Sequence, residues 1–299
     1  MPDGMAHVMN MKARYKFGNI IIEITCPVPF GKSDNIERFC TDPGDKGEVI
    51  SLQCVIKQAG IPEDGVYIRR ADETRFYQTA EGETAVYCRP KTDRALMRTV
   101  LETGSCRTLY ISPEAGKQYF SMQEIFRHAE LINILISRDI WVMHACYVKT
   151  AYGAVLFTGN SGAGKSTQGS LWERYGCGEV INGDRALVYL EDDRYKANGF
   201  VYSGSSGICK NAPSLLRAVV LVNQSEKNEI IHMKPSQAVR TVFLQSVSCP
   251  YRETELRKKL EFAEKLSERV EILQLNCRIS TLSDSFSANS SFFRSSVSR

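Results

Sequence analysis

The chain has 299 residues, 43% of them hydrophobic and 24% charged, an ordinary globular composition that excludes a disordered chain. Its 38 lysines and arginines against 34 aspartates and glutamates leave a net charge of +4 spread along the sequence. That spread lacks the clustered basic footprint of a nucleic-acid binder, and no apolar run reaches the roughly 18 residues a membrane span needs.

At roughly 150 residues per domain, the length suits about two domains. Met1–Lys12 has no apolar core of signal-peptide length, so a cytoplasmic chain is expected. The ten cysteines run from Cys26 to Cys277 without a Cys-x-x-Cys pair, and the four histidines lie far apart. Reduced, mostly buried thiols are expected rather than a zinc site.

Residues 1–115 read as a β-rich N-terminal domain. Lys16–Thr25 carries the run Ile20-Ile21-Ile22, and Val49–Ile56 is a second candidate strand. Val66–Arg69, Phe76–Thr79 and Ala85–Arg89 are shorter candidates, separated by turn signals such as Asp42-Pro43-Gly44-Asp45 and Pro62-Glu63-Asp64-Gly65. No nucleophile, metal cluster or phosphate loop stands out here. Acceptor recognition and oligomerisation both remain open for this domain.

The pattern changes near Ser121. Ser121-Met122-Gln123-Glu124 is a capping box, and Ile125, Ala129, Ile132 and Ile136 follow on one helical face. His128 inside this helix reads as a packed or exposed histidine, not a ligand. Strands are expected over Trp141–Val148, Ala154–Thr158, Glu179–Asn182, Ala186–Leu190, Arg217–Val222, Glu229–Met233 and Glu271–Leu275. Helices are expected over Lys165–Arg174, from Pro235 to about Gln245, and over Glu253–Val270 with Leu256, Leu260, Ala263, Leu266 and Val270 on one face. This alternation predicts an α/β layer domain over 116–279. The serine-rich stretch 280–299 is expected to be disordered.

Gly159-Asn160-Ser161-Gly162-Ala163-Gly164-Lys165-Ser166, followed by Thr167, fits G-x-x-x-x-G-K-[ST] between a strand and a helix. In such a P-loop, backbone N–H groups converge on phosphate oxygens and the helix N-terminus adds free donors. Lys165 would meet the β and γ phosphates, and the Ser166 hydroxyl would ligate Mg²⁺. Val180-Ile181-Asn182-Gly183-Asp184-Arg185 ends a short apolar strand in an aspartate. Asp184 is either the carboxylate such a site needs, as proton acceptor or metal ligand, or a turn residue in Asn-Gly-Asp. His144 ends the apolar stretch Trp141-Val142-Met143 and by itself reads as a core residue.

Met143-His144-Ala145, two strands, Gly159–Thr167 and Ile181–Arg185 in this order resemble the HPr kinase/phosphorylase family. The resemblance covers about 120–278 and implies a P-loop catalytic domain of the phosphoenolpyruvate carboxykinase type. It implies ATP and Mg²⁺ as cofactors, held at Lys165, Ser166 and Asp184, with His144 beside the transferred phosphate. Asp184 would be the base that activates a serine hydroxyl. Gly183 stands where the family has the first aspartate of a pair, and Ser203–Asn211 lacks the acid of the family's later signature.

The function this implies is an ATP- and Mg²⁺-dependent kinase acting on a hydroxyl, serine of a protein or peptide. Its partners would be a nucleoside triphosphate and a protein or peptide acceptor, with no nucleic acid and no membrane. The alternative is a P-loop nucleotide-binding regulator or hydrolase without kinase activity. A transport ATPase is disfavoured by the missing Leu-Ser-Gly-Gly signature. A GTPase is disfavoured because Asn223-Gln224-Ser225-Glu226 fails the Asn-Lys-x-Asp pattern.

Overall fold

The computed structural model describes residues 10–31, 33–101, 104–248 and 252–278. The stretch 280–299 lies outside the described residues. The protein is mixed α/β, with two sheets and few helices. It divides into two compact units between Ser137 and Arg138.

The first unit contains β1 (Met11–Phe17), β2 (Ile20–Cys26), α1 (Asp34–Glu37), β3 (Glu48–Ile56), β4 (Val66–Ala71), β5 (Thr74–Thr79), β6 (Gly82–Cys88), β7 (Ala95–Val100), β8 (Cys106–Ile111), α2 (Met122–His128) and α3 (Leu131–Ile136). One eight-stranded sheet runs β1-β2-β3-β8-β7-β6-β5-β4. Its β2–β3 and β3–β8 pairs are parallel and the others antiparallel. The stretch expected as one strand over Lys16–Thr25 is a hairpin. Phe17 pairs with Ile20 across a Gly18-Asn19 turn, and Gly18 takes a positive φ of 61°, which a tight hairpin loop requires.

The helix expected from Ser121 to Ile136 is two helices. The Ser121 hydroxyl accepts from the Glu124 N–H at 3.3 Å, as a cap should. Glu130 then adopts φ 57° and breaks the helix, leaving Ile132 half-buried while Ile134 and Leu135 are buried. His128 is buried, lies 4.2 Å from the Tyr87 ring and bonds Glu124 at 3.0 Å. Phe126 on α2 meets Tyr15 and Phe17 edge-on, with centroids 5.4 and 5.7 Å away. These aromatic contacts tie 122–136 to the first sheet, so the division falls at 137/138 and not at the expected 115/116.

The second unit contains β9 (Trp141–Thr150), β10 (Gly153–Thr158), α4 (Lys165–Arg174), β11 (Glu179–Asn182), β12 (Arg185–Glu191), β13 (Arg194–Gly199), β14 (Ser214–Gln224), β15 (Glu229–His232), α5 (Pro235–Gln245), α6 (Glu253–Arg269) and β16 (Glu271–Cys277). Its sheet runs β10-β9-β12-β13-β14-β16-β15. In addition β11 pairs with β9, and β10 pairs with β14. Val148, Val155, Phe157, Val220 and Leu273 are buried at its centre with Trp172 of α4. β13 has no strong apolar run and is not expected from sequence. It is fixed by the Asp192-Asp193 turn, where both residues have positive φ as a two-residue hairpin demands.

On α6 the buried stripe is Glu255, Lys259, Phe262, Ala263 and Leu266, while Leu260 from the expected face is 45% exposed. Two polar residues can replace the leucines because each finds a partner. Glu255 pairs with Arg252 at 2.6 Å, and the Lys259 ammonium lies 4.6 Å from the Phe243 ring centre, a cation–π contact. All nine described cysteines are free, and six of them are buried.

Candidate functional site

One strand positions the whole site. β9 carries β10 along one edge and β11 along the other, since Val148 pairs with both Val155 and Val180. Further back along β9, β12 replaces β11, with Arg185 opposite His144. Thr158, the last residue of β10, pairs with Ala145. The loop after β10 and the bend between β11 and β12 therefore both leave the sheet at His144–Ala145.

The loop after β10 is the glycine-rich segment. Gly159 is buried at φ 140°, where a Cβ would come within 2.8 Å of the Val222 carbonyl oxygen. Asn160, Ser161 and Gly162 form the exposed tip, and Ala163 and Gly164 are half-buried. Gly164 takes φ 103° and starts α4 without a side-chain cap. The first intrahelical donor there is Gln168 N–H to the Gly164 carbonyl. The N–H groups of Lys165, Ser166 and Thr167 precede it and are the donors a helix start leaves free. Ser166 and Thr167 are exposed.

Lys165 is the unusual residue of this loop. It is only 8% exposed, yet its ammonium donates to two neutral acceptors, the carbonyls of Gly159 at 3.0 Å and Asn160 at 3.1 Å. No carboxylate among the described residues pairs with it directly. Burial lowers its pKa, opposed by the more distant charge of Asp184. A desolvated cation held by carbonyls alone is an anion site in waiting.

Asp184 lies in the bend between β11 and β12. Its conformation is set by Asn182, fully buried, whose side-chain oxygen accepts from the N–H groups of Asp184 at 3.0 Å and Arg185 at 2.9 Å. The Asn182 amide nitrogen donates in turn to the Phe200 carbonyl at 2.8 Å. The Ala145 N–H donates to the Asp184 carbonyl at 2.9 Å. This fixes the carboxylate beside His144: Oδ1 is 3.1 Å from His144 Nε2, and Oδ2 is 3.3 Å from Arg185 Nε. Burial and then the charge of Lys165 lower the His144 pKa, while Asp184 pulls the other way. The contact with Asp184 is made through His144 Nε2 and fixes the direction of the ring.

Ser166 comes to the same bend from the helix side, its hydroxyl 3.5 Å from the Gly183 carbonyl oxygen. Among the described residues, no cluster of three or more His, Cys, Asp or Glu side chains is placed to hold a metal ion. The oxygen donors that meet at this bend, the Ser166 hydroxyl and the Asp184 carboxylate, are of the type a Mg²⁺ ion takes when phosphate oxygens and water complete its shell.

A cleft of about 690 Å³ adjoins the other side of the glycine-rich loop. The loop tip Asn160–Ala163 forms one wall; Leu221, Met233 and Leu244 supply apolar surface, and Arg240, Gln237 and Gln274 supply polar groups.

Three further residues position the site. Asn182 shapes the bend. Gln245 reaches back from the end of α5 to lie 2.9 Å from the Thr158 hydroxyl, which is also 2.8 Å from the His144 carbonyl. Ser206 belongs to a short 3₁₀ turn, Gly204–Ser206, after β13. A Cβ on Gly183 would meet Ser206 Cβ at 2.5 Å, and one on Gly204 would meet Asp184 Cγ at 2.8 Å. The turn therefore packs directly over the bend. The missing Cβ of Gly183 makes room for it. The signal that existed was the Gly/Ser composition of 203–207.

No family model matches this chain, and no curated protein matches it. Among solved structures, the Hpr(Ser) kinase/phosphatase from Coxiella burnetii is similar over 52% of this chain and 94% of its own, with 12% identity and a TM-score of 0.29.

Proposed function

We propose that this chain is an ATP- and Mg²⁺-dependent kinase that transfers the γ-phosphate to a hydroxyl, serine of a protein or peptide, in the manner of HPr kinase. The observation that carries the reading is Lys165: a buried ammonium bonded to two carbonyls, in a P-loop sequence, with no carboxylate of its own. Such a group is best satisfied by phosphate. The free N–H groups of Lys165–Thr167 would bind the same phosphates. The neighbouring cleft, with mixed polar and apolar walls, is large enough to take the nucleoside.

The acceptor side rests on Asp184 and His144. A carboxylate with fixed direction can take a hydroxyl proton. Its hydrogen bond with His144 holds it in place. Mg²⁺, when bound, would offset phosphate charge, and Ser166 and Asp184 are the residues to hold it. The sheet of the first unit ends at β4. Val66, Tyr67 and Ile68 on β4 are exposed, which suits capture of an extended acceptor peptide by strand addition.

The test is incubation with γ-labelled ATP, Mg²⁺ and cell extract. Label on a protein supports the kinase. Free phosphate alone would replace it with a nucleotide hydrolase or regulator.

A further inference from the structure

The turn over the catalytic bend carries its own hydroxyl. Ser206 is exposed, yet its side chain sits against Gly183, whose missing Cβ leaves just enough space for it. Gly183 is also the residue whose carbonyl the Ser166 hydroxyl approaches. The next residue is Asp184, and Gly204 of the same turn lies against its carboxylate carbon. The metal-side hydroxyl, the carboxylate and Ser206 thus all gather around one glycine. Ser206 Oγ donates to the Ser203 carbonyl at 2.7 Å and accepts from the Ile208 N–H at 3.3 Å. These bonds hold its oxygen on the turn, which positive φ at Gly204 and Gly207 keeps tight.

We propose that Ser206 is a phosphate acceptor, so that the chain phosphorylates itself in cis on the turn that covers its own Asp184. The proposal rests on the kinase reading above and names one acceptor for it. In the transfer, the Ser206 O–H leaves the Ser203 carbonyl and gives its proton to the Asp184 carboxylate. The bond from Ser206 Oγ to the γ-phosphorus forms as the bond to the β,γ-bridging oxygen breaks, and ADP departs with that electron pair. A phosphoserine adds about −1.5 to −2 charge at neutral pH. Placed beside Gly183, it stands where nucleotide phosphates would meet Ser166, so the modification also weakens nucleotide binding.

The experiment uses the full chain with Mg²⁺-ATP at several protein concentrations, read by intact mass and phosphopeptide mapping. Nucleotide affinity is titrated in parallel on the wild type, Ser206→Ala and Ser206→Asp. The expected result is one phosphate at Ser206, with a rate constant independent of protein concentration. Incorporation at this site is lost in Ser206→Ala and in Asp184→Asn. Ser206→Asp binds nucleotide more weakly than Ser206→Ala. ATP consumption with label elsewhere and none on Ser206 overturns this proposal and leaves the kinase reading standing. A rate that rises with protein concentration overturns the cis assignment. Absence of nucleotide binding removes the kinase reading, and this proposal falls with it.

Discussion

Replacing Gly204 by alanine tests whether the turn holds the Asp184 carboxylate in place. Gly204 has φ 57°, a left-handed conformation that costs an L-residue about 1–2 kcal/mol. The new methyl would lie 2.8 Å from Asp184 Cγ, 2.9 Å from its Cβ and 3.0 Å from Oδ2, whereas carbon atoms in contact prefer about 3.5–4.0 Å. Something must move by close to an ångström. The backbone of Asp184 is pinned by Asn182 and Ala145, so its side chain turns and gives up the 3.1 Å contact with His144. A misplacement of about 1 Å costs on the order of 10²-fold in rate. The backbone strain alone lowers Tm by about 2–8 °C, at roughly 2–4 °C per kcal/mol for a unit of this size. Gly207→Ala is the control: φ is 65°, and nothing lies within 4 Å of its added methyl. Melting curves and steady-state ATP turnover of both variants separate strain from displacement. Both should melt lower, and only Gly204→Ala should lose turnover. Equal turnover in the two variants would refute the argument that this turn sets the position of Asp184.

Lys165→Met keeps the buried stem and removes the charge. The free protein should melt no lower than wild type, because the lost cation was paired only with carbonyls, and the stabilisation produced by added ATP should vanish; calorimetry with and without nucleotide reads both. Asp184→Asn should retain nucleotide affinity and lose about 10²–10⁴-fold in transfer, the usual loss for a missing general base, measured with labelled ATP. The His144 titration followed by NMR should have a midpoint below the ordinary value of about 6.5. It should rise in Lys165→Met and fall further in Asp184→Asn, because Lys165 lowers it and Asp184 raises it. With a depressed folded pKa, the unfolded chain takes up the proton first as pH falls below about 6.5, so His144 makes the folded state less stable in that window. A titration unmoved by either substitution would separate His144 from both partners.

Elements with local punctuation were legible in the sequence. α4 begins at Lys165 after Gly164, and α5 runs from Pro235 to Gln245, both as expected. β11 also matches its expected span. The α6 boundaries were nearly right, but its buried face was not, because Glu255 and Lys259 are buried with partners that only the folded chain supplies. The glycine-rich loop, His144 and Asp184 could be picked out singly, but the 3.1 Å contact between the last two spans 40 positions. Asn182 and Gln245 act through hydrogen bonds that no nearby residue announces. The Gly/Ser stretch that holds Ser206 stands out by composition, but its place over Gly183 is set by the fold.

Because the glycine-rich loop and the Asp184 bend both depart from the same two residues of β9, their spacing is a property of that strand's register. A one-residue slip of β9 would turn His144 to the opposite face of the sheet and carry Ala145 away from the Asp184 carbonyl. An insertion between Trp141 and Val148 would therefore disturb both sides of the site at once, whereas one in the glycine-rich loop or in the 203–207 turn would disturb its own side alone. Variation during divergence would accordingly fall least on Trp141–Val148, the fixed ruler against which both segments are measured.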